Sequence, residues 1–275
     1  MSAVHPAIGA VLQDSTQVPA SDVDRDSIGS EQTTSLTLAR ALAVGCLSRL
    51  DPSLNSLNVW DPTAGSGFAG LLLTNALRSQ GAHVSYRGQD INEHAVSVSR
   101  RRFETVPDAA IAVRNTLLQD EFEGFLADLV IVDAPWGLDW RDLAPQVEAR
   151  RDSGVFSFGL PQRSDSTWLF ISLALEKLRA RADGGGRVAA LVTPSALSAG
   201  GDTASVRQKI VEAGMLESVT RLPDCLAPNT AIPLYLVTFT NKATDARRGK
   251  AMISDLQTEF ITEHRYRSMP VTAFQ

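Results

Sequence analysis

Cysteine is scarce in this chain, with Cys46 and Cys225 the two examples among 275 residues. So distant a pair argues against a disulfide scaffold or a zinc site, and for reduced thiols in a cytoplasmic setting. Long apolar runs are missing too. Trp168–Leu175 is already broken by Ser172 and falls short of the roughly 18 apolar residues that mark a membrane-spanning helix. No basic stretch followed by an apolar block stands at the N-terminus, where His5 and Asp14 lie, so a secretory leader is not expected. The histidines number four, and His83 and His94 have no partner at metal-ligand spacing; no metal is expected. Nor is there a surplus of positive charge. Lys and Arg total 26 against 31 Asp and Glu, a net charge of -5. Much of the imbalance sits early, in Asp14, Asp22, Asp24 and Asp26 against Arg25. A domain that grips duplex DNA unaided is usually visibly basic, so any nucleic-acid role would need a partner for part of its grip.

What remains is a globular profile: 44% hydrophobic, 21% charged and a mean hydropathy of -0.04. Residues 1–30, rich in Ser, Asp, Ala, Val and Pro without a sustained period, read as a mobile tail. From Thr33 the pattern changes. Ser35 or Thr34 can cap a helix whose apolar residues Leu36, Ala39, Leu42, Ala43, Cys46 and Leu47 recur at three and four. Beyond Pro52, short apolar strands are expected at Asn58–Trp60, His83–Tyr86, Ala110–Val113, Leu129–Val132, Val188–Val192, Ser218–Leu222 and Leu234–Thr240. Helices are expected at Ala69–Ser79, Glu93–Phe103, Ser166–Ala182 and Ala204–Ala213. That alternation builds βαβ units and an α/β, doubly wound, mostly parallel sheet, with its site at the strands' carboxyl ends. Leu138–Arg163 fits neither period and reads as a long loop.

Two segments carry chemistry. In Asn58-Val-Trp-Asp-Pro-Thr-Ala-Gly-Ser-Gly-Phe-Ala-Gly70 a strand ends in an acid, a glycine loop follows and a helix begins. Gly65, Gly67 and Gly70 satisfy the dinucleotide pattern G-x-G-x-x-G, with Asp90 about 20 residues on to hold a ribose. Asp61 argues for a different ligand, because a carboxylate there repels a pyrophosphate and attracts a cation. S-adenosylmethionine carries an ammonium and a sulfonium. The second segment is Asp128-Leu-Val-Ile-Val-Asp133-Ala-Pro-Trp-Gly137, a buried strand running into a polar and aromatic turn.

With these motifs the sequence resembles the amino-group DNA methyltransferases, specifically the modification subunit of type I restriction systems. That family has D-P-x-x-G-S-G at the first strand and [NDS]-P-P-[YFW] after the fourth. The likeness runs from about Glu31 to Ile253 and takes in Thr193-Pro-Ser-Ala-Leu, Val206-Arg-Gln-Lys-Ile, Gly214-Met-Leu-Glu-Ser-Val and Asn229-Thr-Ala-Ile-Pro-Leu-Tyr-Leu-Val. The resemblance implies a Rossmann-like class I fold with a seven-stranded sheet. It implies a catalytic domain over 31–255, with 256–275 an extension of a chain that reads as cut short. Cofactor contacts are implied for Asp61, Thr63, Gly65, Gly67, Phe68, Asp90, Ile91 and Asn115, and the catalytic set is Asp133, Ala134, Pro135 and Trp136.

The chemistry suits these residue types. An adenine amino group is a poor nucleophile because its lone pair is delocalised into the ring. Two acceptors aimed at its hydrogens, the Asp133 carboxylate and the Ala134 carbonyl, would localise that pair toward the methyl sulfonium. Trp136 offers a face for an extruded base. The expected reaction is methylation of adenine N6 in DNA, within a hetero-oligomer containing a specificity subunit. Ala134 replaces the family's first proline, Asn115 replaces an aspartate, and Glu31-Gln-Thr-Thr-Ser-Leu is a degraded form of the segment that closes over the methionine moiety. These departures leave open a subunit that binds cofactor without turnover. Cytosine N4, RNA adenine and protein glutamine are alternative acceptors. A nicotinamide oxidoreductase rests on the glycine pattern alone.

Overall fold

The computed structural model describes residues 5–13, 34–227, 230–242, 249–263 and 266–274. Its centre is an eight-stranded sheet of β1 (Ser56–Asp61), β2 (His83–Asp90), β3 (Ala109–Val113), β4 (Leu129–Val132), β5 (Arg187–Val192), β6 (Leu216–Arg221), β7 (Tyr235–Thr240) and β8 (Met252–Asp255). The spatial order is β3-β2-β1-β4-β5-β7-β6-β8. Strand β7 runs antiparallel to both neighbours, while the other pairs are parallel. The expected class is correct, but the sheet has eight strands rather than seven, since β8 adds to the edge at β6.

Alternation along the central strands explains why helices cover both faces. Leu129 and Ile131 of β4, with Ala189 and Leu191 of β5, enter one hydrophobic layer. Val130, Val132, Val188, Ala190 and Val192 enter the other. Every residue of both strands is buried, as expected of inner strands in a doubly wound sheet. The first layer is roofed by α1 (Pro6–Gln13), α2 (Leu36–Leu47), α3 (Phe68–Ser79) and α4 (Glu93–Arg102), and the second by α5 (Ala144–Asp152), α6 (Thr167–Glu176) and α8 (Gly201–Glu212). A short α7 (Pro194–Ser198) follows β5. Ser35 caps α2 by accepting the Leu38 N–H at 3.3 Å.

Three sequence expectations are corrected. The tail over residues 1–30 contains α1, whose Ala7, Ile8, Val11 and Leu12 are buried against the first layer. Its apolar stripe spans two turns and is easily read as patternless, though Pro6 at the helix start was a signal; residues 14–33 lie outside the described residues. The long loop Leu138–Arg163 contains α5, which has a charged outer face and buries just Ala144 and Val147. Arg150 on α5 donates to the Thr116 and Leu117 carbonyls at 2.8 and 2.6 Å, tying the helix to the segment after β3. The helix expected over Ser166–Ala182 stops at Glu176. Lys177 then turns inward to Asp120 and the Phe122 carbonyl. Past β8, β9 (Ile261–Glu263) and β10 (Tyr266–Ser268) form a separate antiparallel hairpin.

One packing feature positions the site. Tyr86 of β2 is fully buried and stacks on Phe103 with ring centroids 4.1 Å apart. Gly70 and Gly88 flank it so closely that a Cβ would come within 2.5 Å of its ring at Gly70 and 2.9 Å at Gly88. Alanine in a helix is ordinarily favoured over glycine by about 1 kcal/mol. The opposite is expected for Gly70→Ala: overpacking against a ring that cannot retreat should cost about 1–3 kcal/mol. Chemical denaturation should show a lowered midpoint with an unchanged slope.

Candidate active site

Strands β2, β1 and β4 lie side by side, and each delivers an aspartate at its carboxyl end: Asp90, Asp61 and Asp133. Between β1 and β4 the connections diverge, one leading outward to β2 and the other crossing back, which opens a crevice at that edge. The resulting cleft has a volume of about 710 Å³. It is lined by ten of the twelve residues singled out from sequence: Asp61, Thr63, Gly65, Phe68, Asp90, Ile91, Asn115, Asp133, Pro135 and Trp136. Gly67 and Ala134 stand apart from it. A Cβ on Gly67, at φ +79°, would lie 2.2 Å from Ser99 Oγ, so this glycine lets α3 approach α4. Ala134 is fully buried in the second hydrophobic layer and presents no surface to the cleft.

Asp61 is 2% exposed. It accepts the Thr63 N–H at 3.3 Å and the Tyr86 hydroxyl at 3.1 Å. Burial pushes its carboxyl up to about 7; those hydrogen bonds oppose the shift, and the charges of Asp90 and Asp133 reinforce it. Burial, then the Asp61 charge, pushes the Tyr86 phenol up, so Tyr86 stays a donor. Asp90 is committed differently. One oxygen accepts the Gly65 N–H and the other the Asn92 N–H, both at 2.8 Å. The carboxylate thereby clasps the glycine loop, and each oxygen keeps a second lone pair toward the cleft. Gly65 itself sits at φ +50° with nothing within 4 Å of where a Cβ would be. Its backbone conformation, rather than lack of room, calls for glycine.

Asp133 lines the cleft and is half-buried. Its backbone N–H donates to Thr63 Oγ1 at 3.1 Å, and its Oδ2 accepts the Thr34 hydroxyl at 2.5 Å. Burial raises this carboxyl to about 6, with the Thr34 hydrogen bond pulling the other way. Asn115 closes a local turn, its Oδ1 accepting the Leu117 N–H at 3.0 Å. Trp136 packs against the first hydrophobic layer.

Sequence reasoning missed Tyr86, although two glycines facing one strand aromatic was a usable signal. It offered Thr34 as an alternative cap of α2, a role that Ser35 takes, and did not connect it with Asp133. Arg102 holds the Ser66 carbonyl and hydroxyl at 2.9 and 2.6 Å, fixing the loop. Trp140 and Trp168 are core residues, with indole N–H groups donating to the Gln162 and Ala196 carbonyls. Among the described residues no cluster of His, Cys, Asp and Glu could hold a metal ion, and no helix is long and apolar enough to cross a membrane.

The sequence profile of a family described as N-6 DNA methylase matches residues 40–273. The type I restriction enzyme MjaVIII methylase subunit of Methanocaldococcus jannaschii is 23% identical over 217 residues, 74% of this chain and 36% of that protein. A type I restriction-modification system methyltransferase subunit from Streptococcus thermophilus superposes with a TM-score of 0.77 at 23% identity, over 89% of this chain and 51% of that one. A structure from Listeria monocytogenes, described as a class I S-adenosylmethionine-dependent methyltransferase, gives a TM-score of 0.64 at 18% identity, covering 82% of this chain and 66% of its own. The chain thus spans about a third of the curated relative's length and about half of the Streptococcus subunit's. The fold shared with these structures is that of class I methyltransferases.

The raised Asp61 carboxyl has a thermodynamic consequence. From its ordinary 3.8 to about 7 the folded protein binds a proton that the unfolded chain has released. Stability therefore falls as pH rises across that window and is level above it. Asp61→Asn removes the penalty. It should be more stable than the parent at pH 8, by up to a few kcal/mol, with the gain fading toward pH 4; urea unfolding at the two pH values measures this.

Proposed function

The chain belongs to the N-6 DNA methylase family, and on that premise we propose that it methylates the N6 amino group of adenine in DNA with S-adenosylmethionine. The observation that carries this reading is the triad of carboxylates around one cleft, with Asp61 buried among like charges. Such a site fits a ligand that arrives as a cation, and disfavours a pyrophosphate. When bound, S-adenosylmethionine supplies a methyl group on a positively charged sulfur. Asp61 would hold the ammonium end. Asp90 would accept from the ribose hydroxyls with its remaining lone pairs, and Ile91 and Asn115 would border the adenine.

Asp133 would accept a hydrogen of the target amino group, localising its lone pair, while Trp136 and Pro135 flank the base. Of the two acceptors expected, Asp133 alone reaches the cleft, so more of the orientation falls on it. The burial of Ala134 also favours a second reading, a subunit that binds the cofactor without turnover. With a net charge of -5 and relatives named as type I methylase subunits, the active form is proposed to be a hetero-oligomer in which a specificity subunit supplies sequence choice and much of the grip on DNA. The cytoplasm is the proposed compartment, where the free thiols of Cys46 and Cys225 stay reduced.

Calorimetry with S-adenosylmethionine should give micromolar binding to the parent chain and at least about tenfold weaker binding to Asp61→Ala and Asp90→Ala, the loss expected for one charge-assisted contact. A cationic ligand prefers ionised Asp61, so affinity should rise with pH up to about 7 and then level. Undiminished binding in both variants would refute the assignment. Asp133→Ala should keep cofactor binding and abolish methyl transfer to DNA in the assembled complex. An assembled parent complex that binds cofactor and transfers nothing would establish the second reading.

A further inference from the structure

Asp133 is held at two points by two threonines from different parts of the chain. Thr63, from the loop after β1, accepts its backbone N–H, and Thr34 donates to its Oδ2. A carboxyl group turns readily about its Cβ–Cγ bond, with two-fold equivalent oxygens. Anchoring the backbone alone would leave that rotation open. The Thr34 hydroxyl closes it.

We propose that Thr34 is a positioning residue for Asp133, engaging Oδ2 so that Oδ1 is the oxygen presented to the amino group of an incoming base. This rests on the methyltransferase reading above. The placement of Thr34 is not left to a loose segment. It precedes Ser35, the N-cap of α2, and α2 is buried against β4 and β5. Strand β4 is also the strand that delivers Asp133, so donor and acceptor are referred to the same rigid layer. Thr34 lines the cleft together with Asp133. A hydrogen bond to the ionised form also favours ionisation, and the ionised carboxylate is the stronger acceptor of amino hydrogens. The other charged or titratable groups around the cleft are Asp61 on β1, Asp90 on β2, His94 and Arg102 on α4, and Asp139 beyond Gly137. Burial opposes the ionisation that Thr34 supports.

The test is a carboxyl-carbon NMR titration of the full chain without cofactor, with the Asp133 signal assigned by its loss in Asp133→Asn. The parent midpoint is expected near 6. Thr34→Val should raise it by about one unit, the size of one charge-assisted hydrogen bond, and Thr34→Ser should restore it. At pH 6 that rise cuts the ionised fraction from about a half to about a tenth. In the assembled complex, the acid limb of kcat should move upward to match in Thr34→Val. Some loss of kcat should persist at pH 8, where ionisation is complete and orientation alone is missing. An unchanged Asp133 midpoint in Thr34→Val would overturn the proposal. So would a kcat above the parent's, which would mean that the hydroxyl masks Asp133 instead of aiming it. Should Thr34→Val fail to fold, a Thr34→Ser midpoint displaced from the parent's would count against the proposal equally. Failure of the methyltransferase reading would show separately, as absent cofactor binding in the parent with the titration result intact.

Discussion

Like charges at the ends of adjacent parallel strands are the constraint around which this molecule is arranged. The order β2-β1-β4 places three aspartates on one edge; burial disfavours the ionised forms of Asp61 and Asp133, and the charges of Asp90 and Asp133 add to the penalty at Asp61. The fold answers this with hydrogen bonds. It uses neutral donors: Tyr86 and the Thr63 N–H on Asp61, two loop N–H groups on Asp90, and Thr34 on Asp133. Neutral donors leave the net negative charge of the cleft in place, which is what a cationic ligand requires.

The three glycines of the loop-to-helix motif then have three different reasons. Gly65 is there for its backbone conformation at the cleft, and Gly67 for the approach of α4. Gly70 makes room for Tyr86, and so serves Asp61 from the far side of the strand. A pattern that reads as a single phosphate cradle is here split between ligand access, helix packing and support of a carboxylate. The split explains why the dinucleotide reading of the same residues fails once Asp61 is considered.

Much of this was legible in the residues. Leu129–Val132 and Val188–Val192 read as inner strands because they are continuously apolar; Asp61 and Asp133 were visible because each directly ends an apolar run, and Asp90 because it stands about 20 residues beyond the glycine pattern. Less legible were features whose meaning depends on a distant partner. Thr34 and Asp133 are 99 positions apart, and nothing in either neighbourhood announces the other. Tyr86, the end of an expected strand, is a core residue, yet its hydroxyl reaches the site. α1 and α5 were missed for a different reason: each buries four residues or fewer, so tertiary packing stabilises a helix whose own periodic signal is faint. Strand β8, with Met252 and Ile253 largely exposed, lacks the buried pattern that identifies the inner strands.

The turn from Asp133 to Trp136 passes between the two faces of the sheet. Ala134 is embedded in the layer beneath α6, and Trp136, two residues on, rests on the layer beneath α3. The segment is therefore stitched through the sheet's carboxyl edge and clamped from both sides. Its compliance is set jointly by two otherwise separate cores. A void opened in either one, far from any ligand, would loosen the same few residues, so substitutions in opposite halves of the molecule should be coupled through this stitch although their side chains never meet.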